Sequence, residues 1–191
     1  LVNRRDLLGA AALGAAAATL GAGSSPAEAA ADPKVSVHVG GKYEQVPLRK
    51  DSLRVTAVQS NMRSIRDVKN PAKEMQANVD HMLDMVDAAN GFPGPQDLVC
   101  FHEQPIMGWQ PWTLDEALRV SIEVPGPETE ALGKKAKQHG CYITFGTYAK
   151  DTNWPGHLLL NGILIAPDGN VVANHWKTNN SRGFKPGWDI F

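Results

Sequence analysis

Two charged residues in this sequence stand where strands give out, and their types suit acyl chemistry. Glu103 lies in the stretch "DLVCFHEQPIMGW", residues 97–109. Side chains alternate along a strand, which predicts Asp97, Val99, Phe101 and Glu103 on one face and Leu98, Cys100 and His102 on the other. Glu103 falls just past the apolar run, at the carboxyl end of its strand, the edge where open α/β sheets bind ligands. An apolar edge suits a general base, because poor solvation favours a carboxylate's uptake of a proton. Lys177 follows "VVANHW", again at a strand end, where a fixed positive charge can meet a developing oxyanion. Taken singly, each reads more simply as a polar residue at a strand exit.

Few other residues suggest chemistry. Cys100 and Cys141 make neither a disulfide framework nor a metal cluster, and read as buried thiols. His102 and His175 flank the two candidates and read as packed or solvated. Trp109, Trp112 and Trp154 either shape an acyl pocket or simply pack. No cluster of His, Cys and Asp has metal-ligand spacing. "PDG" is a turn, and no glycine-rich nucleotide fingerprint is present. Neither a metal nor a cofactor is therefore expected. Charged residues make up 20% of the 191 and the formal net charge is -1, which gives no support for nucleic-acid binding.

The elements that must position these residues follow from periodicity. "LRVTAVQSNM" reads as a buried strand. Pro71 suits the first turn of a helix. Met75, Val79, Met82 and Val86 then recur at helical spacing as a core stripe, with His81 off it and solvated. "GFPGP" breaks that helix before the strand that ends at Glu103. "PETEALGKKAKQHG" reads as a second helix through Thr129, Leu132 and Ala136, with Gly140 as its C-cap. Lys134, Lys135 and Lys137 form its solvated face. "CYITFGTYA" is a third strand, and "LLLNGILIAPDGNVVANHWK" a hairpin turning at Pro167, Asp168 and Gly169. The order β-α-β-α-β-β-β predicts an α/β fold with a mixed sheet.

The order of these features resembles the nitrilase superfamily of carbon–nitrogen hydrolases. "LRVTAVQSNM" is similar to its first strand, and "DLVCFHEQPIMGW" to the strand ending in its catalytic Glu. "VPGPETEALGKKAKQHGCYITFGTY" resembles the helix and strand that follow. "LNGILIAPDGNVVANHWK" resembles the hairpin ending in its catalytic Lys. The resemblance covers Leu53 to Trp188, and "GFPGPQDLV" and "VPGPETE" look most like the aliphatic-amidase branch. It implies an α-β-β-α sandwich that pairs as a homo-oligomer, and a Glu–Lys–Cys triad acting on a small amide. Glu103 would be the general base and Lys177 the stabiliser of the tetrahedral intermediate, with the Cys as nucleophile.

The family's nucleophile lies a few tens of residues past its Lys, beyond Phe191. The chain is therefore expected to be the N-terminal part, residues 53–191, of a longer hydrolase domain and inactive by itself, with the sandwich incomplete at the C-terminus. Cys100 is a poor substitute, pointing to the other face roughly 10 Å along the strand from Glu103. The family usually carries Pro where His102 stands and a basic residue where Trp176 stands. Many members place a second Glu after the Lys, for which Asp189 is a weak replacement. Two alternatives share the fold: a non-catalytic binding or assembly protein, and an acyltransferase.

Residues 1–31 read as a twin-arginine-type export signal. Arg4 and Arg5 precede an uncharged Ala/Gly-rich run from Leu7 to Ala27, and Ala27-Glu28-Ala29 fits a cleavage site. The expected location is periplasmic or extracellular, with membrane contact through the signal alone. Residues 32–52 read as a connector or small β-ribbon.

Overall fold

A computed structural model describes residues 50–61 and 63–177. The residues read as an export signal, all but residues 50–52 of the expected connector, and residues 178–191 with Asp189 lie outside the described residues.

Five strands form one sheet in sequence order. They are β1 (Val55–Val58), β2 (Leu98–Glu103), β3 (Tyr142–Ala149), β4 (Leu159–Ile165) and β5 (Val171–Trp176). β1, β2 and β3 pair in parallel, and β3–β4 and β4–β5 are antiparallel, so the sheet is mixed as expected. Two reversals return β5 to the direction of β2 and β3. The ends of β2 and β5, where Glu103 and Lys177 sit, therefore point toward the same edge of the sheet.

Among the described residues, three helices accompany the sheet: α1 (Ala72–Gly91), α2 (Leu114–Val120) and α3 (Pro127–His139). Met75, Val79, Met82 and Val86 of α1 are buried, as their spacing predicts. They join Leu132 and Ala136 of α3 and Val99, Phe101, Ile143, Phe145, Ile163 and Ile165 of the sheet in one core. Gly140 closes α3 in the left-handed conformation (φ 65°). α2 is absent from the periodicity reading. Its seven residues are too few to show a stripe, yet Thr113 and Glu116 form a reciprocal capping box at its start.

Three expectations need correction. β1 is half-exposed, not buried: among the described residues it pairs with β2 alone, Leu53 and Val55 are exposed, and Thr56 and Val58 are half-buried. His81 is half-buried, and its Nε2 is buried without a hydrogen-bond partner. Lys135 is no solvated lysine, because its Nζ meets Asp87 of α1 at 2.8 Å. His139 Nε2 meets the same carboxylate at 2.6 Å, so α3 is tied to α1 through Asp87.

These partners hold the Asp87 carboxyl below its ordinary value of 3.8, through the Lys135 hydrogen bond first and the His139 bond second. A depressed carboxyl contributes stability that is present above the unfolded value and lost as pH falls through the folded one. Asp87→Asn is expected to cost about 0.5–1 kcal/mol at neutral pH, since the pair is part-exposed. That difference should vanish in acid, below the lowered folded value. Denaturation midpoints of both proteins across pH check it, and a pH-independent gap would assign the loss to packing instead.

α3 meets the β4–β5 turn by backbone contact. A Cβ built on buried Gly133 would stand 2.3 Å from the Gly169 carbonyl oxygen. Gly169 in turn has φ +93°, which only glycine adopts without strain. Gly133→Ala is expected to destabilise by about 1–3 kcal/mol, the usual cost of overpacking, despite alanine's better helix propensity. An unchanged urea midpoint would show that helix and turn separate freely.

Candidate active site

Glu103 does not occupy the face that alternation assigns it. Cys100 pairs with Thr144 and Glu103 with Gly146, so β2 carries one residue more than β3 over this stretch. Such a bulge shifts the following side chain to the opposite face. Glu103 thus leaves the helix-covered face of Val99 and Phe101 and joins the open face of Thr144 and Gly146. Its side chain is exposed there, not held at the apolar edge that the sequence suggests.

A row of paired residues crosses the sheet on that face. Glu103 pairs with Gly146, Gly146 with Gly162, and Gly162 with His175. Lys177 lies two residues past His175, and its backbone N donates to the Leu160 carbonyl at 2.8 Å, so strand pairing continues through it. Alternation then sets Lys177 on the His175 face. The result is a cleft of about 530 Å³ whose lining includes Glu103, Gly146, Gly162, His175 and Lys177. Three strand spacings, roughly 14 Å, separate the backbones at the two ends of the row. Two long polar side chains can reach into that gap from opposite ends while the two glycines between leave its floor bare.

The local scaffold holds Glu103 by its main chain. His102 Nδ1 lies 2.7 Å from the Glu103 carbonyl oxygen, which can only accept, so Nδ1 carries the proton. The His102 Nε2 lies 2.6 Å from Ser60 Oγ. Gln104, the next residue, is buried and left-handed (φ 62°), uncommon for a non-glycine residue. Its N–H donates to the Gly146 carbonyl at 2.8 Å, and its carbonyl accepts from Gly108 at 2.9 Å. Buried Asn78 of α1 donates to the carbonyls of Arg63 and Ile106, fixing the turn behind Glu103.

Gly146 permits the close approach of β2. A Cβ there would lie 3.2 Å from both Cα and Cγ of Glu103. Gly146→Ala should displace the carboxylate and lower kcat by about 10–10²-fold, the scale of a sub-ångström to 1 Å misplacement. Turnover of the variant in the full-length protein tests this, and a wild-type kcat would mean that Glu103 needs no fixed position.

The structure thus brings Glu103, Lys177, His102 and His175 to one cleft, where His102 is half-buried and His175 exposed. It leaves the cysteines out. Burial pushes both thiols up, away from the reactive thiolate, and neither lines the cleft. None of the three tryptophans lines the cleft: Trp112 sits edge-on to Tyr148 at 6.5 Å, Trp154 stacks on His157 at 4.4 Å but stays exposed, and Trp109 is exposed. Gly146, Gly162 and Ser60 carry no charge and were not singled out from sequence. A lone glycine inside each of two strand runs was the available signal, since it marks close backbone approach or missing bulk.

Comparison with known proteins gives concordant likenesses. A family model described as carbon–nitrogen hydrolase matches residues 54–185. Formamidases of two Bacillus cereus strains are 27% identical over 116 residues, which cover 57% of this chain and 33% of theirs. The chain thus spans about a third of the length of the curated relatives it matches. An N-terminal amidase solved with an Asn-Glu-Ala peptide aligns at a TM-score of 0.57 and 17% identity, over 68% of this chain and 29% of that one. A cysteine mutant of Nesterenkonia AN1 amidase, from the nitrilase superfamily, aligns at 0.52 and 19% identity, over 66% of this chain and 43% of that one. At these identities the two structures establish a shared fold.

Proposed function

The chain belongs to the carbon–nitrogen hydrolase family and has the nitrilase-type α/β fold, and on that premise we propose that it is the Glu- and Lys-bearing part of an amidase. The substrate class is a short linear amide. One observation carries the reading: Glu103 and Lys177 line the same cleft, with Gly146 and Gly162 paired in the row between them. Glu103 takes the thiol proton of a cysteine supplied by the rest of the protein, and the thiolate attacks the amide carbon. Lys177 stabilises the oxyanion of the tetrahedral intermediate. The C–N bond breaks, ammonia leaves with a proton returned through Glu103, and water then hydrolyses the thioester.

The formamidase relatives favour a small amide over a peptide. On the sequence signal alone, the protein acts after export, in the periplasm or outside the cell. Ammonia release by the full-length protein from formamide, acetamide and propionamide tests the proposal. Release that is lost when the cysteine downstream of Lys177 is replaced supports it. Binding of amides without release would favour a non-catalytic protein, and acyl transfer to an added amine in preference to water would favour an acyltransferase.

A further inference from the structure

Gly162 is a glycine that no contact among the described residues requires. It lies inside β4, its backbone is outside the left-handed region, and it is exposed. A Cβ built there meets nothing nearer than the His175 carbonyl oxygen at 3.9 Å, an ordinary contact. Glycine inside a strand loses more conformational freedom on folding than other residues and packs nothing, so it weakens the strand. Gly146 differs, because a Cβ there would press on Glu103. What a side chain at 162 would take up is the cleft itself, whose lining includes Gly162.

The surroundings give that space a shape. On the same face, the pairs flanking Gly146 and Gly162 are Thr144–Leu164 on one side and Tyr148–Leu160 on the other. Glu103 closes one end of the row, and His175 with Lys177 the other. Of the flanking pairs, Thr144 and Leu160 line the cleft, and the two glycines between them add no side chain. The depth of the gap is that of the missing side chains.

We propose that Gly162 is a substrate-size determinant: the bare floor receives the acyl group of the amide, and its shallow depth selects short, unbranched acyl groups. This rests on the amidase reading for the orientation of the substrate, with its carbonyl carbon between Glu103 and Lys177.

The test uses the full-length protein with Gly162→Ala and Gly162→Val, and reads two properties that do not depend on turnover. The first is the thermal midpoint, expected to stay level or rise, because a side chain fits and valine favours strands. The second is binding of the carboxylates formate, acetate, propionate and butyrate, followed by NMR titration. Gly162→Val should weaken butyrate and propionate by about tenfold or more and formate by less than about threefold, the range that a methylene or two commands in an apolar pocket. For hydrolysis, kcat/KM should fall most for the longest amide in Gly162→Val, whereas Gly146→Ala should lower kcat for all amides alike.

A clear drop in the midpoint would overturn the proposal, since another segment would then pack on Gly162. Equal weakening of all four carboxylates, or no binding of any by the wild type, would also overturn it. Size-graded binding in a protein that releases no ammonia would retain the determinant and reject the amidase reading.

Discussion

Glu103→Gln in the full-length protein is expected to lower kcat for amide hydrolysis by about 10²–10⁴-fold, the usual contribution of a positioned general base. The amide keeps the shape and the accepting oxygen of the carboxylate but cannot take the thiol proton. KM should change little, because the lost interaction belongs to the transition state. Folding should be untouched. Glu103 is held by its main chain, through His102 Nδ1 on its carbonyl and the Gln104 N–H on Gly146, and its side chain is exposed. A thermal midpoint equal to wild type, together with the collapse of kcat, would separate the chemical role from a structural one. A kcat within about threefold of wild type would mean that Glu103 is only the polar end of a strand, since a general base contributes far more than that.

How Glu103 reaches the cleft shows where sequence reasoning holds and where it stops. Its position at the end of β2 was legible, because an apolar run that stops at a charge is a local signal. Its face was not, because a bulge depends on which residue of β3 lies opposite, and Gly146 is more than forty residues away. The same division runs through the fold. The Met75–Val86 stripe, the α3 cap at Gly140 and the β4–β5 turn all show in local spacing. The Asp87–Lys135–His139 bridge joins two helices distant in sequence, and no local pattern announces it. β1 lay between these cases: its alternation was visible, but which face turns inward depends on what packs on the sheet, which no local pattern gives. Glycines were the main missed signal at the site. Gly146 and Gly162 line the cleft without adding side chains to it, which a search for reactive side chains passes over.

Lys177→Met is the complementary experiment, with an expected loss of about 10²–10³-fold in kcat, the scale of removing one oxyanion stabiliser. Methionine keeps most of the aliphatic stem and removes the charge, so packing of the half-buried side chain is largely preserved. The direction of the stem is set by the backbone: the Lys177 N–H pairs with Leu160, which continues β5 by one residue and carries the side chain to the open face. An ammonium there meets little charge on a neutral amide and a full one on the tetrahedral oxyanion. The variant should therefore lose kcat and kcat/KM in equal measure, with KM steady. A raised KM with kcat intact would make Lys177 a substrate-binding residue instead. Combining Lys177→Met with Glu103→Gln sharpens the distinction. If both groups serve one tetrahedral intermediate, the double variant should lose much less than the product of the single losses, because a disabled step cannot be disabled twice. Multiplying losses would place the two residues in separate steps, and the shared cleft would then be proximity without cooperation.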